Sequence, residues 1–553
     1  RNIFQGIEGN QGPYRLTGAN AELFFIVLAG TERVFMDGVM LQRGEDQDYV
    51  INYNTAEIIF TPRQMITKDK RIQVEFEYAD RNYLNSQMYM SNTLRLKNNF
   101  SINVGYYNNT DAKNSPINQS LNGTQKMYLS GLGDQVQHAF YNTAMEEPIA
   151  DGKILYRKVD TSIATAPIQT IYIYSTSYSE KLYSISFYDK GPGQGNYILD
   201  TSLQLNGKVY KWVAPDPING KKYGRYEPDV LLVTPKSLQV YNISTQWDLN
   251  AYTKLHSDIA LSKYDINTLS LKDKSNDVGA GLKINIDHRQ PLRKNDQLFM
   301  STYADIEYAS AQFKPIERLR SVEFLRDWGL DLIPIPANEQ IVKGGVGLQS
   351  NQQTYFQYDA TRYSRNQSYE GFRHMFSQHM LQKNWILNNS VSYTTFSDPH
   401  LKGSFFRPTI DIGKVFPYLH HQSAGVKYSK ESSIAHGVST DSISLNSFLF
   451  ETIQFYTHSD PTKDNKWSVK YFTRSDQLPN GREMKIVDRS NNYNVQYEWM
   501  SNPSHQIRAS AMYRTLMYSD SRLSDQKEHS LLGRVEYFAK YWKGAINGTS
   551  FYE

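Results

Sequence analysis

The feature that most constrains this chain is a two-residue alternation of apolar and polar side chains, repeated through many segments of strand length. Tyr241, Ile243, Thr245, Trp247 and Leu249 alternate with Asn242, Ser244, Gln246 and Asp248. Leu282, Ile284 and Ile286 alternate with Lys283, Asn285 and Asp287, and Tyr493, Val495, Tyr497 and Trp499 with Asn494, Gln496 and Glu498. Near the end, Gly533, Val535, Tyr537 and Tyr541 oppose Arg534, Glu536 and Lys540. Successive side chains of a β-strand point to opposite faces, so each segment predicts a strand with one apolar and one polar face.

A soluble sandwich alternates in the same way. Three further features favour a transmembrane barrel. The polar face keeps charged and amide residues at mid-strand, as a wet lumen would. Trp247, Trp385, Trp467, Trp499 and Trp542 fall near strand ends, where interfacial girdles form. Short turns, such as Lys97-Asn98-Asn99, Asn250-Ala251-Tyr252, Asn351-Gln352-Gln353, Gln382-Lys383-Asn384, Asn502-Pro503-Ser504-His505 and Trp542-Lys543-Gly544, alternate with longer polar loops. The long ones are expected at 268–277, 363–370, 431–441, 477–491 and 519–529.

Composition agrees with this reading. Of the 553 residues 13% are aromatic, and 41 are Tyr, an excess suited to strands and interfaces. With 60 basic and 56 acidic residues and no long run of one sign, a nucleic-acid partner is not indicated. Absence of Cys excludes disulfides, thiolate metal sites and a Cys nucleophile. No stretch of about 18 apolar residues occurs, which excludes an ordinary membrane helix and leaves a barrel open, because its strands need only about 9–11 residues. The chain starts at Arg1 without a Met or an apolar leader, as a processed or truncated product would.

The organisation predicted is a small N-terminal β-sandwich-like domain over 1–82, then an outer-membrane barrel over 83–553 with an inserted extracellular loop domain at 108–235. The first domain is read from short strands at 23–28, 34–36, 49–53, 57–60 and 72–76, with Asp37-Gly38 and Arg43-Gly44 as turns and a boundary near Arg81-Asn82. A further long segment, 312–340, offers Arg318 to Arg326 as a short helix or Val322-Glu323-Phe324 as a strand. About nine hairpins follow from Ser86, in the range of about 16–18 strands that leaves an aqueous lumen. The last strand, from Ala545, reads as unfinished, so the barrel is expected to continue beyond Glu553. Counting parity puts the N-terminal domain on the extracellular, long-loop side.

No enzyme motif survives inspection, and no catalytic, cofactor-binding or metal-binding residues are assigned. Gly191 to Gly195 lacks the Lys-Ser or Lys-Thr of a phosphate loop and reads as a turn. His420 and His421 are adjacent, so on a strand they would face opposite ways, and a turn or rim position is the better reading. Glu45, Asp46 and Asp48 lack the spacing of a calcium loop. Lys283, Arg289, Lys470, Arg474, Arg508, Arg514 and Arg534 could tune a pore for anions. Asp287, Glu498 and Glu536 interleave with them, and a mixed, mutually neutralising lining is preferred.

The run from Gly30 to Gly38, continued by Leu41 to Tyr53, Glu57 to Arg63 and Arg71 to Tyr78, resembles a module of large outer-membrane surface proteins of Bacteroidota. Asn206 to Pro215 and Arg320 to Trp328 resemble the same family. The resemblance implies an outer-membrane location and a longer parent protein, and it supplies no catalytic residues. The expected partners are outer-membrane lipid and other outer-membrane or surface proteins. The expected function is that of a non-enzymatic structural or accessory subunit of a surface, secretion or outer-membrane biogenesis assembly. Alternatives are a porin-like channel or transporter for small solutes, and a surface adhesin or glycan binder.

Overall fold

A computed structural model describes the chain except for residues 19–24, 79–81, 97–98, 118, 149–152, 163–168, 178, 203–206, 293–297, 331–334, 351–353, 367, 441, 520–526, 542–543 and 553. The start of the expected strand at 23–28, the Arg81 boundary and the turns at 97–98, 351–353 and 542–543 fall outside the described residues, as does most of the loop at 519–529. The described residues are predominantly β-strand, as the alternation predicts.

Residues 2–75 form two small antiparallel sheets. One orders Asn2–Gln5, Arg71–Glu75, Arg33–Met36 and Val39–Met40, and the other Tyr14–Arg15, Glu57–Phe60 and Tyr49–Asn52. They share one apolar core, in which Leu16, Val34, Ile58, Phe60, Ile66, Ile72 and Val74 are fully buried. Asp37 and Gly38 both take positive φ, 51° and 83°, the backbone that joins two strands by a two-residue turn.

The rest of the chain is dominated by one sheet of long strands. Seventeen antiparallel ladders run without a break from Tyr83–Leu96 through Phe100–Pro116 and Ser237–Asp248 to Gly544–Tyr552. Register is in phase with the sequence alternation. Met90, Tyr106, Tyr241 and Leu261 stand opposite one another on one face, and Ser91, Gly105, Asn242 and Ala260 on the other. Residues directly opposite share a face, so the sheet has one apolar and one polar surface across its width.

One edge of the sheet carries tight connections, such as Lys383-Asn384, where both residues have positive φ. The other edge is mixed. Residues 266–277, 310–338 and 438–447 connect strands there as long segments, whereas 366–368, 398–400 and 481–482 are tight. Three expected long loops are thereby corrected. The segment 477–491 belongs mostly to the hairpin of Asn465–Asn480 and Glu483–Asn502, whose turn is Gly481-Arg482. Tyr363 to Arg365, Tyr369 and Glu370, and Glu431 to Gly437 likewise lie in strands. Above the apolar belt a hairpin can be polar on both faces and still keep its ladder, so polarity alone mimicked a loop.

The expected insertion at 108–235 also starts later, because Asn108, Asn109 and Thr110 pair with Gln239, Leu238 and Ser237 and extend the long strand to Pro116. Residues 117–236 then form two four-stranded sheets, a two-stranded ladder and helix Gly123–Gly131. The helix begins in a capping box, with Asn122 accepting from the Gln125 amide while Gln125 accepts from that of Asn122. Tyrosine makes much of this unit's core. Phe187 stacks on Tyr210 at 4.4 Å between centroids and meets Tyr156 and Tyr197, both fully buried. Their hydroxyls are used too, because Tyr156 accepts from the Tyr210 amide and Tyr197 from the Tyr172 amide.

Candidate functional site: a domain clamped on the polar face

Different parts of the polar face have different cover. On strands Asn465–Asn480, Glu483–Asn502, His505–Tyr518 and Lys527–Tyr541 it carries Arg474, Asp476, Asp488, Asn492, Arg514, Arg534 and Glu536. The N-terminal domain packs there through ions. Arg514 lies 2.6 Å from Asp69 and 2.8 Å from Glu8, with its side chain only 3% exposed. Lys68 pairs with Asp488 and holds its ammonium 4.8 Å from the Tyr518 ring. Arg534 donates to the Glu45 carbonyl at 2.8 Å, lies 3.4 Å from Asp46 and pairs with Glu536. Arg474 joins Asp476 at 2.9 Å and reaches Asp69 at 3.9 Å.

Desolvating that many ions is unfavourable unless each finds partners, and here the partners come from both sides of the contact. Burial pushes the Glu8 carboxyl above its ordinary value, against the pull of Arg514. Asp37 lies on the other side of the balance. Its burial also opposes charge, but Lys70 at 3.0 Å, Arg71 at 3.6 Å and the Arg71 amide outweigh it and hold Asp37 below the ordinary carboxylate range.

The segment 310–338 forms a strap between the domain and the sheet. Its helix is shorter than expected, Phe324–Asp327, and Val322-Glu323 is not a strand. Trp328, fully buried, packs among Tyr363, Tyr369, Phe396 and Ala435, and its carbonyl accepts the Tyr369 hydroxyl. Gly371 is needed beside it, since a Cβ there would come within 2.8 Å of the indole. Asp327 receives Arg407 at 2.7 Å and Arg373 at 3.6 Å, while Arg326 pairs with Glu431. Toward the domain, Arg318 lies 2.8 Å from Glu75 and Glu323 3.4 Å from Arg71. The strap is therefore anchored at both ends by packing and charge.

Away from the domain and the strap the polar face is open. Strand Tyr83–Leu96 is exposed at every residue after Tyr83. A cleft of about 540 Å³ opens beside it, lined among others by Thr93, Asn103, Ser244 and Gln246.

The basic residues read from the sequence as a mutually neutralising lining have distinct fates. Arg508 faces Glu536 at 3.7 Å and Lys283 faces Asp305 at 3.8 Å, as such a lining requires. Arg289 lies over Phe299 and donates to Gln349. Arg474, Arg514 and Arg534 instead grip the N-terminal domain. Their partners lie hundreds of residues away, and only the alternation that put these arginines on the polar face was available to find them. Of the acidic trio, Asp46 reaches Arg534, and Asp48 accepts from the Gln42 amide. Gly191 and Gly193 take positive φ in a turn. His420 and His421 also take positive φ, 52° and 60°, in an exposed turn. Among the described residues no group of three or more His, Asp or Glu is placed to hold a metal ion.

Residues 1–80 match the family model of a domain of unknown function, DUF8818. The match covers the clamped N-terminal domain. No curated protein matches the chain.

Proposed function

We propose that the long sheet closes into a transmembrane barrel of an outer membrane, and that the protein is a non-enzymatic structural or accessory subunit of a surface, secretion or membrane-biogenesis assembly. One observation carries the location. The apolar face is exposed strand after strand, with Tyr241, Ile243, Ile259, Leu261, Ile284, Ile306, Val346, Phe376, Ile412, Val426, Phe455, Tyr493, Val495 and Val535 all open. Water does not favour so continuous an apolar surface, and lipid does. Trp247, Trp385, Trp467 and Trp499 lie on this same face, all at strand ends on the tight-turn edge, as an interfacial girdle would.

Closure joins Gly544–Tyr552, laddered on one side to Lys527–Tyr541, with Tyr83–Leu96, laddered on one side to Phe100–Pro116. A sheet in lipid must have no open edge. Tight turns on one edge and the insertion on the other follow bacterial habit and orient the insertion and the clamped domain outward. The resemblance to Bacteroidota surface proteins points the same way.

The subunit reading rests on the clamped domain, which a simple diffusion pore does not need, and on the insertion, which exposes Met127, Met145, Ile218 and Tyr223. Purification from membranes in mild detergent tests it. Co-purifying partners in fixed ratio are expected, and a protein that runs alone would contradict the reading. A channel is the second reading, favoured by the open part of the polar face. Planar-bilayer recording separates the two, with ohmic steps for a channel and silence for a filled barrel.

A further inference from the structure

One lane of the polar face differs in chemistry from the rest. Where the N-terminal domain docks, the strands carry paired ions. On Tyr83–Leu96, Phe100–Pro116 and Ser237–Asp248 the central rows are neutral. Tyr89 faces Tyr107, Ser91 faces Gly105 and Asn242, and Thr93 faces Asn103 and Ser244. Gln87 and Asn109 form the next row toward the insertion. On these strands charge appears only toward the ends, at Arg95 and Asp248 on one side and Asp111 and Lys113 on the other.

These groups are arranged as a surface of alternating donors and acceptors. Asn103 donates to Thr93 at 2.7 Å and to Ser91 at 3.0 Å, Gln87 donates to the Tyr107 hydroxyl at 3.1 Å, and Asn109 donates to the same oxygen at 3.3 Å. Gly105 makes room for the lane, because a Cβ there would collide with the Asn242 amide. Tyr89 remains 68% exposed despite its place in the middle of a strand. The cleft beside Asn103, Ser244 and Gln246 opens at one end of this surface, where Arg95, Asp248 and His256 also line it.

We propose that this lane binds a neutral, polyhydroxylated chain, an oligosaccharide, passing between the clamped domain and the wall. The inference rests on the barrel reading, which makes the polar face a lumen. Side-chain amides and hydroxyls each offer donor and acceptor and so match sugar hydroxyls without a charge to desolvate. Tyr89 and Tyr107 add aromatic faces on which the C–H face of a sugar ring can lie. An extended peptide is a poorer fit, since Phe100–Pro116 is laddered on both sides and barrel closure leaves Tyr83–Leu96 no edge for it to join.

The test uses the full chain in detergent, titrated with maltoheptaose by calorimetry and by saturation-transfer NMR. Heat-modifiable migration on electrophoresis first establishes that each variant is folded. Saturable binding is expected, with transfer to ring protons that weakens in Tyr89→Leu and Tyr107→Leu. Asn103→Ala and Asn242→Ala should each weaken binding by about fivefold, the worth of one hydrogen bond. Lys427→Ala, on strand Gln422–Gly437, should bind as the parent does. No saturable binding by the folded parent overturns the proposal, as does equal binding by all the lane variants or preference for a neutral Ser/Gly peptide over the sugar. A lipid-free, soluble protein would instead defeat the barrel reading, so the two failures are distinguishable.

Discussion

The guanidinium of Arg514 lies 2.6 Å from the carboxylate of Asp69, 445 residues earlier in the chain, and both side chains are more than nine-tenths buried. This pair is the centre of the contact between the N-terminal domain and the long sheet. Removing one member leaves the other charged and without compensation, which is costlier than never having had the pair. Arg514→Met should therefore destabilise the docked domain by about 3–5 kcal/mol. Thermal unfolding in detergent, together with protease cutting between the domain and the sheet, measures the effect. Adding Asp69→Asn and Glu8→Gln to Arg514→Met should recover most of the loss.

Acid should loosen the domain partly through Asp37. Its folded value lies below the ordinary one, so its contribution is fully present above about pH 4 and is lost as pH falls through the folded value. Glu8 has the opposite sign. Its folded value is raised, so the folded state is penalised as pH climbs from the ordinary value through the raised one. Melting curves from pH 3 to about pH 7 should show Asp37→Asn with a flatter acid limb and Glu8→Gln with a flatter limb above it.

Trp328 fixes the strap. Truncation of a fully buried Trp costs about 3–5 kcal/mol, so Trp328→Ala should free 310–338 for proteolysis at temperatures where the parent resists. Gly371→Val should reproduce this from the opposite side, because the new side chain occupies the indole's place. Equal protease resistance in both variants would mean that the strap is held by its ion pairs alone.

Neighbouring residues on one strand should respond oppositely to charge. Ile259→Arg puts a guanidinium on the apolar face and should cost about 2–4 kcal/mol in folding into bilayers, whereas Ala260→Arg on the polar face should cost far less. Urea titration of vesicle-refolded protein reads both.

How much of this was legible in the sequence follows from the range of each interaction. Alternation is local, and it located Tyr241, Ile243 and Trp247 on one face and Asn242, Ser244 and Gln246 on the other. Turn chemistry is local too, and Asp37-Gly38 and Lys383-Asn384 adopt turns with positive φ. The hairpin ending at Gly481 was misread because Arg482, Glu483, Lys485 and Asp488 look like a loop when the cross-strand partner is unknown. The clamp was beyond local reading altogether. Alternation put Arg474, Arg514 and Arg534 on the polar face, but nothing near them in sequence announces Glu8, Asp46 or Asp69. Trp328 was read only as part of a family-like run, since its burial depends on strands that follow it.

The central claim is that one face of this sheet meets lipid and the other water. Because the chain contains no Cys, single cysteines carrying nitroxides can be placed one at a time from Tyr241 to Trp247 without background labelling. In reconstituted vesicles, oxygen accessibility should peak at Tyr241, Ile243, Thr245 and Trp247, and a water-soluble nickel complex should reach Asn242, Ser244 and Gln246 preferentially. Equal access of the nickel complex to both sets would contradict the account.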